Sequence, residues 1–254
     1  MKTEMARRQA AEMNLHRLSI NPYPGRGIIV GVDHSGSNAV VIYWIMGRSD
    51  SSRNRVFKRA GDRIYTDLID RSKPVDPLTL YNAMEQYAQN HIVSNGDQTS
   101  TIVEELVNGG DFHGALGRRE YERDPPNYTP RIAAMVTVGK KPIVQLGIIR
   151  KEDGSEGSWR TTWEHETLTA GYGHCIHTYE GNVPAHEGAG GRLPPFVGEP
   201  RLVPLAGHPD DIANTWWNML DRENRVALVV KIIPLLGGEQ RFAIINANDW
   251  TDQP

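Results

Sequence analysis

Two kinds of hydrophobic pattern run along this chain, and they divide it into predicted strands and helices. Short, nearly continuous apolar runs rich in Val and Ile occur at GIIVGVD (27–33), NAVVIYWIM (38–46), HIVSN (91–95), RIAAMVTVG (131–139), KPIVQLGIIRK (141–151), RVALVVKIIPL (225–235) and RFAIINAN (241–248). Bounded by turn residues, such runs predict strands. The first two are joined by His34-Ser35-Gly36-Ser37, a hairpin signal. RIYTDLID (63–70), WRTTWEHETL (159–168) and YGHCIHTYEG (172–181) add three more strand candidates. Helical spacing is read in PLTLYNAMEQYAQN (77–90), from Leu80, Met84 and Tyr87 or Ala88, after the Lys73-Pro74 break. QTSTIVEELVN (98–108) predicts a helix capped by Asp97 or Thr99 and stopped by Gly109-Gly110. HPDDIANTWWNMLDRE (208–223) predicts another, capped by Asp210 or Asp211, with Trp216-Trp217 as core or oligomer contact. The charged start of the chain fits an amphipathic helix with Ala6, Ala10 and Met13 near one face.

This order lacks strict strand–helix alternation and shows no internal repeat, so a doubly wound parallel sheet is not expected. It predicts an α+β fold of antiparallel sheets with helices on their outer faces. Residues 1–20 read as a helical extension and 21–254 as one domain. The Gly/Pro-rich segment from about 182 to 209 has little periodicity and reads as a functional or mobile loop.

Composition narrows the class. Of 254 residues, 39% are hydrophobic and 23% charged, which suits a globular protein. The net charge of -3 gives no global attraction to nucleic acid or to an anionic membrane. Cys175 is the single cysteine, so a disulfide framework is excluded and a reducing compartment fits. No run reaches the roughly 20 apolar residues that span a bilayer, and the start has no apolar signal-peptide region. A soluble cytoplasmic protein is the expectation.

Several segments offer chemistry. GRSDSSRNR (47–55) follows an apolar strand and carries Arg48, Arg53 and Arg55 with Ser49, Ser51, Ser52 and Asn54. Guanidinium forks and hydroxyls suit a phosphate, and a solvated basic loop is the alternative. PYPGRG (22–27) holds Tyr23 and Arg26 in a Pro/Gly frame, either at a site mouth or in a tight turn. SNGDQT (94–99) sets Asn95 and Gly96 at a helix start, for an anion or polar ring atoms or as a simple cap. EYERDPPNYTPRI (120–132) places Glu120, Glu122, Asp124 and Arg131 on a proline-stiffened loop, for proton transfer or for surface ion pairs. Gly25, Gly27 and Gly31 do not have dinucleotide-binding spacing. His174-Cys175-x-His177 lacks a second ligand pair, and the serines have no nucleophile-elbow frame.

Taken in order, Tyr23-x-Gly25-Arg26, GRSDSSRNR, Tyr81-Asn82, SNGDQT and YERDPPNYTPRI resemble the archaeal-type IMP cyclohydrolase family. The likeness covers most of residues 20–135 and continues more weakly in HTYEG and the final helix and strands. The loop departs from the family's pattern at Asp97-Gln98. The resemblance implies a four-layer αββα sandwich like that of N-terminal-nucleophile hydrolases, without their chemistry, because Pro24-Gly25-Arg26-Gly27 presents no nucleophile before the first strand. It implies ring closure of 5-formamidoimidazole-4-carboxamide ribotide to IMP, with a purine ribonucleotide as substrate, no cofactor or metal, and a homo-oligomer. It also implies roles: Tyr81, Glu122 and Arg131 in catalysis, and Arg26, Arg48, Ser49, Ser52, Arg53, Arg55, Asn82, Asn95, Gly96 and Asn127 in substrate binding. Two other readings stay open, a nucleotide-binding homologue without turnover and an amide hydrolase on the same scaffold.

Overall fold

The computed structural model describes residues 2–74, 76–183, 191–205 and 207–249. Two antiparallel sheets face one another. One has six strands in the order β11 (Arg201–Pro204), β10 (Tyr172–His177), β1 (Gly27–Val32), β2 (Asn38–Met46), β12 (Arg225–Pro234) and β13 (Arg241–Asn246). The other is a seven-stranded meander of β3 (Arg55–Ala60), β4 (Arg63–Leu68), β5 (Asn82–Tyr87), β6 (Asn90–Ser94), β7 (Arg131–Thr137), β8 (Ile143–Lys151) and β9 (Ser158–His165).

The continuous apolar runs have a direct cause: their strands are covered on both faces. Along β2, Ala39, Val41, Tyr43 and Ile45 enter the core between the sheets. Val40, Ile42, Trp44 and Met46 point the other way, into a second core with Leu18 of α1 (Lys2–Ser19) and Ile212, Trp216 and Trp217 of α5 (Pro209–Met219). A third core sits on the far face of the larger sheet. There Ala133 and Met135 of β7 meet Ile102 of α3 (Gln98–Val107) and Phe112 and Leu116 of α4 (Phe112–Gly117). Period-two alternation thus survives, but both phases are apolar.

Four expectations need correction. Residues 77–90 form a 3-10 turn, Pro77–Thr79, followed by β5 rather than a helix. The segment pairs with β4 on one side and β6 on the other, and ladder hydrogen bonds on both edges override the helical spacing of Leu80 and Met84. The amino-terminal helix buries Ala11 and Leu18, while Ala6 and Met13 are exposed. It docks on β11, with Asn14 Nδ2 donating to the Leu202 carbonyl at 2.9 Å. At α5 the cap is His208, whose backbone N–H donates to Asp211 Oδ2 at 3.3 Å, and neither Asp210 nor Asp211 is the cap. Asp97 does cap α3 by position but makes no side-chain capping bond. The Gly/Pro-rich segment contains β11, and its residues 184–190 and 206 lie outside those described.

Candidate active site

Arg26 is placed where the segment before β1 passes close to Thr178, just beyond β10. Gly25 has φ +73°, and a Cβ there would lie 2.1 Å from Thr178 Oγ1, so only glycine fits. Thr178 Oγ1 donates to the Pro24 carbonyl at 3.2 Å and accepts from the Arg26 N–H at 3.1 Å. Arg26 therefore leaves the chain at a fixed point just before β1. Arg55 opens β3 and is buried, its Nε donating to the Ser52 carbonyl at 2.8 Å. Tyr81 precedes β5 and is pinned by Thr66, whose hydroxyl accepts from the Tyr81 N–H at 2.9 Å and donates to the Thr79 carbonyl at 2.8 Å. The Tyr81 phenol lies 2.7 Å from that of Tyr43, on the inter-sheet face of β2.

Glu122 and Arg131 come from the loop before β7 and from its first residue. Arg131 Nη1 donates to Asp97 Oδ1 at 2.8 Å and to Gln98 Oε1 at 2.9 Å, and it lies 3.9 Å from Glu122 Oε2. Its Nε donates to the Glu120 carbonyl at 3.0 Å. Asp97 and Gln98 are thus the side chains that hold Arg131 Nη1. Asp124 anchors the same loop, accepting from the Thr129 N–H at 2.6 Å and from the Thr129 hydroxyl. Thr129 in turn meets the Tyr179 hydroxyl at 2.7 Å.

These groups feel one another. Burial pushes the Glu122 carboxyl up to about 7 against the opposing fields of Arg26 and Arg131, with Asp124 adding to the rise. Burial lowers Arg55, and the like charge of Arg26 lowers it further. Burial also works against the Arg26 cation, but Tyr23, Tyr179, Glu122 and Tyr81 together hold it above its ordinary value. Tyr43 is driven well above a free phenol by burial and then by Tyr81. Tyr81 is raised too, by burial, while Arg55, Arg26 and the Tyr43 hydrogen bond pull it back. Arg26 Nε and both Arg55 Nη atoms are buried without a hydrogen-bond partner. Buried charged donors with nothing to donate to are costly, so they mark a place for an anion or a carbonyl oxygen. A pocket of about 370 Å³ is lined by Tyr65, Thr66, Leu80, Tyr81, Asn82, Asp97 and Ser100, so Tyr81 is the one member of this cluster that it touches.

The structure thus gathers Arg26, Arg55, Tyr81, Glu122 and Arg131 from four separate segments, the last two from the loop that leads into β7. The other candidates stand differently. Ser49 and Ser52 close a capping box on the single turn α2 (Asp50–Arg53), each accepting the other's backbone N–H. Arg48 is exposed, with its guanidinium 4.5 Å above the Tyr23 ring. Arg53 Nε donates to the Gly47 carbonyl at 3.1 Å. Asn95 braces the β7 start, its Nδ2 donating to the Pro130 carbonyl and its Oδ1 accepting from the Ile132 N–H. Gly96 leaves room for Arg131, since a Cβ there would sit 3.0 Å from its Nη1. Asn82 donates to Glu85, and Asn127 Oδ1 accepts from the Leu193 N–H at 3.3 Å. Tyr43 and Tyr179 were missed. The only signal for Tyr43 was one hydroxyl in the apolar run NAVVIYWIM.

Other chemistry finds less support. Cys175 is buried in the core beneath the helices, and burial pushes its thiol up to about 12, unsuited to a thiolate nucleophile. His174 stacks on His165, with ring centroids 3.6 Å apart, on the opposite face from Cys175. Among the described residues no three His, Cys, Asp or Glu side chains gather as a metal site. Among them, too, no helix is long and apolar enough to cross a membrane.

Comparison with known proteins identifies a family. A family model described as IMP cyclohydrolase-like protein matches residues 23–236. A protein of Haloquadratum walsbyi named IMP cyclohydrolase is 28% identical over 156 residues, covering 58% of this chain and 74% of that protein. One of Methanocella arvoryzae, also named IMP cyclohydrolase, is 30% identical over 165 residues, covering 62% of this chain and 74% of that protein. The family match runs from Tyr23 through every element that builds the cluster, and the chain belongs to the IMP cyclohydrolase-like family.

Proposed function

We propose that this protein is a cytoplasmic enzyme that closes the last ring of IMP from 5-formamidoimidazole-4-carboxamide ribotide, without metal or redox cofactor. The observation that carries the reading is the set of unpartnered guanidinium N–H groups of Arg26 and Arg55 beside Tyr81 and the protonatable Glu122. Both reacting groups already belong to one molecule, so the protein's task is to fold the formamide toward the carboxamide and to move protons. Arg55 and Arg26 suit the substrate's phosphate or carbonyl oxygen. In ring closure, Glu122 as carboxylate takes a proton from the carboxamide nitrogen as that nitrogen attacks the formyl carbon. Tyr81 gives its proton to the formyl oxygen, leaving a phenolate and a carbinolamine. In dehydration, the Tyr81 phenolate takes the remaining proton from the former formamide nitrogen. Protonated Glu122 returns its proton to the hydroxyl, the C–O bond breaks and water leaves. Two protons leave nitrogen and two reach oxygen, so both side chains end as they began. Arg131, held by Asp97 and Gln98, orients Glu122.

The helix–sheet–sheet–helix layering supports the further reading that the fold is an αββα sandwich like that of N-terminal-nucleophile hydrolases, used here without a nucleophile. The test of function is enzyme-dependent formation of IMP from the formylated ribotide, followed by ultraviolet absorbance and chromatography. Tight binding of IMP without turnover would replace the enzyme by a nucleotide-binding homologue. Neither turnover nor binding would overturn both.

A further inference from the structure

We infer that Tyr43 is a positioning residue for this reaction: it donates its phenolic hydrogen to the Tyr81 oxygen and holds the Tyr81 phenolate between the two proton transfers. The inference rests on the proposed cyclohydrolase reading. The geometry begins with β2, whose inter-sheet face carries Ala39, Val41, Tyr43 and Ile45, so Tyr43 is the single hydroxyl among aliphatic neighbours. It has no exposed surface, and its ring packs on Phe57 with centroids 5.4 Å apart. A buried hydroxyl needs a partner, and the one it has is the Tyr81 hydroxyl at 2.7 Å.

Each phenol has one hydrogen, so only one of the two can donate across this contact. If Tyr81 donated to Tyr43, its hydrogen would point into the core and be unavailable to a substrate. If Tyr43 donates, the Tyr81 hydrogen is free for another acceptor, on the side where the fields of Arg55, Arg26 and Glu122 reach the phenol. Charge favours the second arrangement. Arg55 and Arg26 stabilise negative charge on both phenols, but burial drives Tyr43 well above a free phenol while on Tyr81 the two arginines stand next after burial, so Tyr43 is the phenol that keeps its hydrogen. When Tyr81 protonates the formyl oxygen, its O–H bond breaks and the electron pair stays on the phenolic oxygen. That oxygen must then keep its charge until it takes the second nitrogen proton. A fixed donor in a dry site stabilises such a charge far more than water would, because it needs no reorientation. Tyr43 transfers no proton and touches no reacting atom; its part is to set which way Tyr81 points and how easily it gives up its hydrogen.

The experiment compares Tyr43→Phe with the parent protein, each carrying a fluorinated tyrosine at position 81, whose lower pKa brings the titration within reach of fluorine NMR. Loss of a donor to the Tyr81 oxygen should raise the midpoint at which Tyr81 ionises. Loss of an acceptor would lower it, and a purely structural Tyr43 would leave it in place. Either of the latter two results overturns the inference. In turnover, Tyr43→Phe should reduce kcat about ten- to a hundredfold with KM little changed. Unaltered kcat also overturns it. Should Tyr43→Phe fold poorly, a fluorinated tyrosine at position 43 keeps the shape and makes a stronger donor, and the Tyr81 midpoint, then read by carbon-13 labelling, should fall. The titration needs no substrate. A shifted midpoint in a protein that makes no IMP would therefore retain the Tyr43–Tyr81 coupling while overturning its use in this reaction.

Discussion

Two residues along β2 from Tyr43, the neighbouring strand sets Lys231 opposite Val41, so two polar groups enter the same inter-sheet core side by side. Around Tyr43 the polar groups come as a set: Tyr81, Arg55 and Arg26, with Glu122 within their field. Around Lys231 the set is incomplete. Its Nζ is buried with no acceptor and stands 5.4 Å from the Phe242 ring, and the nearby His91 is also buried with Nδ1 unpartnered. Burial lowers the Lys231 amine to about 8, Asp62 resists this and Arg59 reinforces it. Burial takes His91 down to about 3, with Lys231 contributing. Both regions break the rule that buried polar atoms find partners. Only one offers acid, base and anion chemistry together, and the comparison predicts that removing charge will act on turnover in the first region and on stability in the second.

The largest effect should come from Glu122→Gln. An acid/base group of this kind is worth about a hundred- to ten-thousandfold, so kcat should fall by that factor. In the parent protein, kcat/KM should fall below about pH 7 as Glu122 takes up its proton, and the variant's remaining rate should lose that limb. Stability gives a second readout. The folded carboxyl is raised above its unfolded value, so its contribution is full below about 4.5 and is lost as pH rises through 7. Thermal melts from pH 5 to 8 should therefore show the parent losing about 3 kcal/mol that the variant retains. A bell-shaped profile that keeps its acid limb in Glu122→Gln would assign the base elsewhere.

Arg55→Met should come next. It removes two unpartnered NH2 groups from a buried site, so calorimetric affinity for IMP should fall a hundredfold or more, from lost charge-assisted hydrogen bonds of about 1.5–3 kcal/mol each. The variant should melt close to the parent, because loss of the Nε bond to the Ser52 carbonyl, worth about 1 kcal/mol, is offset by removal of a buried cation that faces Arg26. A variant that binds IMP normally would mean that Arg55 is a structural cation like Lys231, and the contrast between the regions would collapse.

Lys231→Met tests the other side. It replaces a buried ammonium by an apolar side chain of similar length and should stabilise the fold by about 3 kcal/mol at pH 7 without changing kcat. The sign with pH is the reverse of that for Glu122. The folded pKa of Lys231 lies below its unfolded value, so the parent is relieved as pH rises from about 8 to 10.5, and its penalty returns as pH falls through that window. The variant's denaturant midpoint should lack this rise.

How far these regions can be read in the sequence differs as well. The strands were legible because both faces of β1, β2 and β12 are covered, which leaves long apolar runs between turn residues. Residues 77–90 were not, since Leu80 and Met84 satisfy helical spacing, and the ladders that make the segment a strand come from partners remote in sequence. Arg26, Glu122 and Arg131 each stood out as polar residues in stiffened loops, whereas Tyr81 lay in a segment read as a helix and entered only through the family resemblance. Arg55 stood out as part of a basic loop, whereas it is the buried first residue of a strand. Nothing local says that these five converge, because convergence is a property of the sheet order. Tyr43 and Lys231 were hidden for one reason: a single polar side chain inside an apolar run leaves the strand pattern intact, and only the packed partner reveals whether it is used.

The smallest effect separates polar atoms already engaged by the protein from those that are not. Ser49 and Ser52 lie in the basic loop that leads to Arg55, and their hydroxyls accept each other's backbone N–H to close the turn of α2. A substrate phosphate would have to share them, while the Arg55 Nη atoms stand unshared. Ser49→Ala should therefore cost about 1 kcal/mol of stability, the worth of a helix cap. Its KM should rise only a few-fold, through loosening of the turn that carries Arg53 and Arg55. If KM instead rises as much as in Arg55→Met, the loop hydroxyls are the chief phosphate donors, and satisfaction by the protein does not distinguish the atoms that bind from those that fold.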